Sequence, residues 1–164
     1  MKPFKKRMHS GPIAFLSDWA SLLGKPRRLM AVLRGKTLSA PFRERLMLAV
    51  TQVNQCRYCA HFHTKAALDA GVSNDEVRKL LAGEFEGCPD EELPAIIYAH
   101  HWAETGRNPA PEMRRKLQET YGAEKAGAIE LALQLICACN YTGNALDYAL
   151  YRLSFGALGG QDRV

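Results

Sequence analysis

The 164-residue sequence lacks the long apolar runs of a membrane protein. No stretch approaches the roughly 18 uninterrupted apolar residues that a transmembrane helix requires. The basic N-terminus is not followed by the apolar region of a signal peptide, because Ser10-Gly11-Pro12 and Asp18 interrupt it. We therefore expect a cytoplasmic protein that neither spans a membrane nor is exported.

The sequence also lacks the paired cysteines of a disulfide scaffold. Its five cysteines are an odd number in a chain without a secretory signal, which fits a reducing compartment where thiols are catalytic, bind a metal or are simply buried. Two of them, Cys137 and Cys139, lie in an apolar stretch, and we expect both to be buried as small hydrophobic residues. The others are Cys56, Cys59 and Cys88.

Alternating apolar and polar residues, the pattern of a half-buried β-strand, are missing, and no internal repeat is visible. Apolar residues instead recur at helical spacing. The sequence therefore predicts an all-α fold of about seven helices. We expect a basic N-terminal arm over 1–12, a single domain over 13–156 and a C-terminal tail over 157–164.

Capping residues and breaks predict where the helices begin and end. Ser39 is an expected N-cap with Pro41 in the first turn, and Ser73 with Glu76 forms the pattern of a capping box. Gly122 separates the last two helices. The expected ranges are 13–33 as two helices broken at Gly24-Lys25-Pro26, then 40–53, 56–70, 74–82, 90–104, 111–121 and 124–155.

The positive charge is concentrated near the N-terminus. Residues 1–36 contain nine Lys and Arg residues against a single acidic residue, Asp18. An arm of this composition is typically solvated and disordered. Because no helix-turn-helix signature, zinc-finger spacing or aromatic-basic surface accompanies it, we do not expect a nucleic-acid partner.

The chemistry of the chain is concentrated between Cys56 and His63. On a helix that begins near Cys56, the thiols of Cys56 and Cys59 and the imidazole of His63 share one face. A thiol at a helix N-terminus ionises more readily because the helix dipole stabilises the thiolate, and a neighbouring histidine can exchange a proton with it. Glu44, with eleven residues between it and Cys56, lies on the preceding helix and is the candidate carboxylate to tune His63.

A cysteine pair at this spacing is open to three interpretations. It is a redox-active pair, a zinc ligand pair, or a switch in a redox-responsive binding module. Zinc would need two further ligands, although no second C-x-x-C or H-x3-H pattern is present. The candidate ligands are His63, Cys88, His100, His101, Cys137 and Cys139.

The helix after Glu124 carries two polar residues in an apolar stretch. Asn140 and Asn144 are four residues apart and therefore share a face. We expect a hydrogen-bonded contact with another helix, with Gly143 allowing close approach, or alternatively a polar stripe facing a pocket.

The pattern Glu44-x11-Cys56-x2-Cys59-x3-His63 resembles the signature of the alkylhydroperoxidase D-like family, within the carboxymuconolactone decarboxylase superfamily. The resemblance covers residues 40–82 closely. It implies an all-helical fold that assembles as trimers or hexamers. We expect no cofactor and no metal. The resemblance also implies a peroxidase cycle in which Cys59 is the peroxidatic cysteine, Cys56 the resolving cysteine, and Glu44 and His63 a proton relay.

The same resemblance implies the partners, a hydroperoxide substrate and an external thiol or dithiol reductant. One position departs from the pattern, because Tyr58 stands where peroxidases of the family can carry a histidine. A tyrosine donates a hydrogen bond but does not shuttle protons near neutral pH unless its pKa is strongly shifted, so its expected role is auxiliary. Decarboxylase activity is disfavoured, since that branch typically lacks the cysteine pair.

Overall fold

A computed structural model describes residues 4–159, and in that range the chain forms seven helices and no strand. None of the helices in the described range is long and apolar enough to cross a membrane. The prediction of an all-α fold with about seven helices is confirmed. The helices are α1 Pro12–Leu23, α2 Pro26–Leu33, α3 Ala40–Asn54, α4 Arg57–Asp69, α5 Asn74–Ala82, α6 Leu93–Glu104 and α7 Pro111–Leu153.

The helix α3 lies at the centre of the fold and contacts α4, α5, α6 and α7. It begins as expected, because the hydroxyl of Ser39 accepts a hydrogen bond from the Phe42 N–H at 3.3 Å and Pro41 occupies the first turn. Its apolar side chains from Leu46 to Val50 are almost fully buried. Polar side chains on this helix are therefore also buried, and each needs a partner.

Arg45 shows how one of these buried polar side chains is satisfied. Its guanidinium binds the carboxylate of Glu76 on α5 at 2.5 Å and that of Glu92, just before α6, at 2.9 Å. The predicted capping box is consequently only half formed. Ser73 does accept the Glu76 N–H at 3.2 Å, but the Glu76 carboxylate bonds to the charged Arg45.

The long helix α7 changes direction at Gly122, whose φ of 75° and ψ of 161° are not helical. This is the place where the sequence predicts a break between two helices. A positive φ strains any residue with a side chain, which explains why glycine stands here. Beyond the break, α7 supplies the apolar side chains of Leu131, Leu133 and Ile136 to the core.

The N-terminal arm is packed against the protein, so the expectation that it is solvated is wrong for its described part. The Lys6 ammonium binds the buried carboxylate of Asp147 on α7 at 2.8 Å. Arg7 donates hydrogen bonds to the carbonyls of Ala103 and Glu104 at the end of α6. A buried carboxylate and a helix C-terminus both attract cations, which supplies the physical reason for the packing.

Candidate active site

The turn between α3 and α4 fixes the position of the first cysteine. Asn54 ends α3, and Gln55 follows in the left-handed conformation with a φ of 56°. This single residue reverses the chain so that Cys56 becomes the N-cap of α4. The Cys56 sulfur accepts the Cys59 N–H at 3.4 Å, in the way that a serine hydroxyl caps a helix.

The two sulfurs of the C-x-x-C pair are neighbours. The Sγ atoms of Cys56 and Cys59 lie 2.9 Å apart and share a hydrogen bond, and all five cysteines of the chain are free thiols. Cys56 is fully buried, whereas Cys59 is partly exposed. A peroxide or a thiol from solution therefore meets Cys59 first.

The hydrogen bond between the two thiols shifts their pKa values in opposite directions. It lowers the pKa of Cys56 to about 7, against the effect of burial and with help from the N–H groups of Cys59 and Tyr58. The same bond raises the pKa of Cys59, and burial adds to the rise, while a hydrogen bond from the Asn140 side chain opposes it. Above about pH 7 the pair thus holds one proton, and the negative charge rests on Cys56.

The helix α7 closes over the cysteine pair at Gly143. A Cβ atom at this position would lie 2.7 Å from the Cys56 sulfur and 3.4 Å from Cδ2 of Tyr58. Only a residue without a side chain lets α7 approach the N-terminus of α4 this closely.

The neighbouring asparagines hold the same contact together. The Asn54 amide donates to the Asn140 side-chain oxygen at 3.1 Å, and Asn140 donates to the Thr51 hydroxyl at 3.2 Å. Asn144 donates to the Asn54 carbonyl at 2.7 Å. The expectation of a hydrogen-bonded helix contact with Gly143 allowing close approach is confirmed.

Buried Glu44 and half-buried His63 form a pair one helical turn from Cys59. The Glu44 Oε2 lies 2.6 Å from Nδ1 of His63, and its Oε1 accepts from Nε of Arg43 at 2.9 Å. Burial alone would raise the pKa of Glu44, but the hydrogen bonds and charges of His63 and Arg43 outweigh it and lower the pKa. An ionised Glu44 fixes the proton of His63 on Nδ1, which leaves Nε2 free to exchange a proton.

Arg43 is a site residue that the sequence reasoning missed. Besides Glu44, it binds the carbonyls of Val32 and Leu33 at 3.3 and 2.7 Å, and it thereby anchors the C-terminus of α2. The sequence does contain one signal for this role. Arg43 directly precedes Glu44, a carboxylate on an apolar helix that needs a cationic partner. The second partner, the end of α2, is visible only in the fold.

Tyr58 contacts the neighbouring Arg57 and the part of α7 at Gly143. Its hydroxyl accepts a hydrogen bond from Arg57 at 3.1 Å, and the Arg57 guanidinium lies 5.0 Å from the centre of its ring. The ring is partly exposed and packs beside Gly143. These contacts fit an auxiliary residue that shapes the mouth of the site.

The zinc interpretation lacks a ligand set. Among residues 4–159, no group of three or more His, Cys, Asp or Glu side chains is arranged to hold a metal ion. Burial raises the pKa of Cys88 to about 11 and also raises the pKa values of Cys137 and Cys139, so these thiols stay protonated near neutral pH. Cys137 is buried as expected and Cys139 is partly exposed.

Comparison with curated proteins and with solved structures gave no significant match. The sequence model of the carboxymuconolactone decarboxylase family matches residues 26–105. This segment runs from the start of α2 to the end of α6 and contains Glu44, Cys56, Cys59 and His63. Residues 26–105 therefore belong to the carboxymuconolactone decarboxylase family, whose superfamily also contains the alkylhydroperoxidase D-like proteins.

Proposed function

We propose that this protein is a thiol-dependent hydroperoxide reductase of the alkylhydroperoxidase D type. The observation that carries the proposal is the contact of two free thiols at 2.9 Å, one of them with a pKa lowered to about 7. The pair of buried Glu44 and half-buried His63 lies one helical turn beyond Cys59. Thiolate, a second thiol and a proton donor are the three groups that peroxide reduction by cysteine requires.

In the first step Cys59 is the attacking sulfur, because it is the exposed member of the pair. Its proton passes along the shared hydrogen bond to Cys56. The Cys59 thiolate then attacks the terminal oxygen of the hydroperoxide, the O–O bond breaks, and the alkoxide takes up a proton supplied through His63. The products are an alcohol and a sulfenic acid on Cys59.

In the second step the Cys56 thiol condenses with the sulfenic acid. The S–S bond forms, the S–O bond breaks, and one water leaves with the proton of Cys56. An external dithiol then reduces the disulfide by two exchange reactions and is itself oxidised to a disulfide. One of the regenerated thiols loses its proton to the Glu44–His63 pair, which restores the starting state.

The test is turnover of an organic hydroperoxide by the reduced protein with a dithiol donor. Cys59→Ser is expected to abolish turnover, and Cys56→Ser to stop after one sulfenic acid has formed on Cys59, where dimedone traps it. Cys88→Ser is the matched control, because Cys88 is buried in the loop before α6 and stays protonated. Unchanged turnover in Cys59→Ser would overturn the proposal.

The redox-responsive binding module stays the alternative. It predicts that the disulfide forms slowly and changes the assembly or the affinity for a partner, without catalytic turnover. The same assay separates the two functions, since only the reductase consumes many equivalents of peroxide for each chain.

We also propose that the chain assembles with copies of itself, as the resemblance implies for trimers or hexamers. Support comes from α1, where Ile13, Leu16 and Leu23 lie exposed although they are large and apolar. Such a stripe is common at subunit interfaces. Light scattering after gel filtration tests the assembly, and a monomer at all concentrations would contradict it.

A further inference from the structure

Three charged side chains meet next to the cysteine pair. Asp147 on α7 is fully buried, and its two carboxylate oxygens contact different cations. One is Nζ of Lys6, at 2.8 Å and equally buried, and the other is Nη2 of Arg57, also at 2.8 Å. This Lys6–Asp147–Arg57 triad joins the N-terminal arm, α7 and the first residue of α4.

The triad lies close to the Cys56 sulfur. Asp147 is one helical turn beyond Gly143, so the two residues share a face of α7. Gly143 touches Cys56, and Arg57 is the next residue in the chain. The negative charge of Asp147 opposes the ionisation of Cys56. A cation that neutralises Asp147 therefore favours the thiolate.

We propose that Lys6 is a positioning residue for the cysteine pair, which acts by neutralising Asp147 and so holds negative charge on the Cys56 sulfur. Lys6 does not touch the sulfur itself. The basic arm is thus part of the site's electrostatics, a role that its composition alone does not suggest. The proposal builds on the thiol chemistry proposed above, but its test measures ionisation instead of peroxide turnover, so either proposal can fail without the other.

The other groups around Cys56 define the background for this test. On α4 they are the thiol of Cys59 and the side chain of Tyr58, and on α7 the thiol of Cys139 lies one turn before Gly143. The Glu44–His63 pair joins α3 to α4 further along. None of these groups changes in the variants below, so a shift in ionisation reports on the triad.

The test follows thiolate absorbance in the ultraviolet from about pH 5 to about pH 9, a range in which a thiol of lowered pKa titrates and an ordinary buried thiol does not. Lys6→Met is expected to raise the midpoint by about one pH unit, which is roughly a tenfold loss of thiolate on the acid side. Lys6→Arg keeps the charge and is expected to keep the midpoint. Lys5→Met, at an exposed neighbouring position, is the matched control and leaves it unchanged.

Asp147→Asn provides the opposite perturbation and works even if Lys6→Met does not fold. It leaves the cations of Lys6 and Arg57 without their counter-charge, so the midpoint is expected to fall. The double variant with Lys6→Met is expected to return toward the wild-type midpoint. A purely structural role would move the midpoint of both single variants in the same direction or of neither, and either result overturns the proposal.

Discussion

The close contact between Gly143 and the Cys56 sulfur makes Gly143→Ala the sharpest test of the packing around the site. The added methyl group would lie 2.7 Å from the sulfur, about 1 Å inside the normal contact distance of roughly 3.5–4.0 Å. Cys56 has no room to yield, because it is fully buried and also caps α4. The methyl group must therefore push α7 away or displace the sulfur from Cys59.

Two effects of opposite sign set the magnitude. Replacing a glycine inside a helix by alanine stabilises the helix by about 1 kcal/mol, whereas overpacking a filled site costs about 1–3 kcal/mol. We expect Gly143→Ala to lower the free energy of unfolding by up to about 2 kcal/mol. Displacement of the sulfur weakens its hydrogen bond with Cys59, so the pKa of Cys56 is then expected to rise from about 7 toward that of an ordinary thiol. Movement of α7 alone leaves this pKa unchanged and lowers only the stability.

Gly127→Ala is the matched control on the same helix. In the described part of the chain, nothing lies within 4 Å of a Cβ atom built at Gly127. This variant is expected to stabilise the protein by about 0.5–1 kcal/mol and to leave the cysteine pair unchanged. Urea unfolding and the thiolate titration measure both effects. If Gly143→Ala matches Gly127→Ala in stability and in thiol pKa, the inferred contact is wrong.

Three further predictions concern the relay, the thiolate and the turn. Glu44→Gln removes the charge of the buried carboxylate that bonds to half-buried Arg43 and His63, and it is expected to lower the free energy of unfolding by about 2 kcal/mol in urea at neutral pH. Folding lowers the pKa of Glu44, so the stability difference between wild type and variant is present above the ordinary carboxyl pKa. It disappears as the pH falls through the lower pKa of the folded state. A stability difference that persists in acid would refute the ion pair. Peroxide consumption needs the thiolate, so its rate is expected to level off above about pH 7 and to fall roughly tenfold for each pH unit below it; stopped-flow rates without this midpoint would contradict the assigned acidity. Gln55→Gly removes the strain of a left-handed residue and is expected to raise stability by up to about 1 kcal/mol, whereas a loss in urea unfolding would show that the Gln55 side chain has another role.

The parts of the fold that local signals control could be predicted from the sequence. Ser39 and Pro41 mark the start of α3, and Gly122 marks the break in α7, because caps and positive φ angles depend on the residue itself. The contact of α7 with α3 through Asn140 was also predictable, since a buried amide in an apolar helix needs a partner.

Other features could not be predicted because their partners are distant in the chain. Lys6 and Asp147 are 141 positions apart, so a charged arm that looks solvated gives no sign of burial. Ser73 and Glu76 match a capping box locally, but the Glu76 carboxylate bonds to the charged guanidinium of Arg45, which is the stronger hydrogen-bond donor.

The division of charge within the cysteine pair was equally hidden from the sequence. The C-x-x-C spacing indicates that one thiol ionises readily, but it does not say which one. The answer depends on the capping geometry of Cys56 and on the burial of both sulfurs. In the proposed cycle the resting charge on Cys56 and the attack by Cys59 are compatible, because one proton moves between sulfurs 2.9 Å apart.

The central claim is that a hydroperoxide oxidises this particular pair of cysteines, and disulfide mapping after a single equivalent of peroxide tests it most directly. Trypsin cleaves after Arg57, so Cys56 and Cys59 fall on different peptides that only a disulfide can join. We expect one organic hydroperoxide to yield one alcohol and one Cys56–Cys59 disulfide, with Cys88 still a free thiol. Unreacted peroxide, or oxidation that spares this pair, would contradict the account.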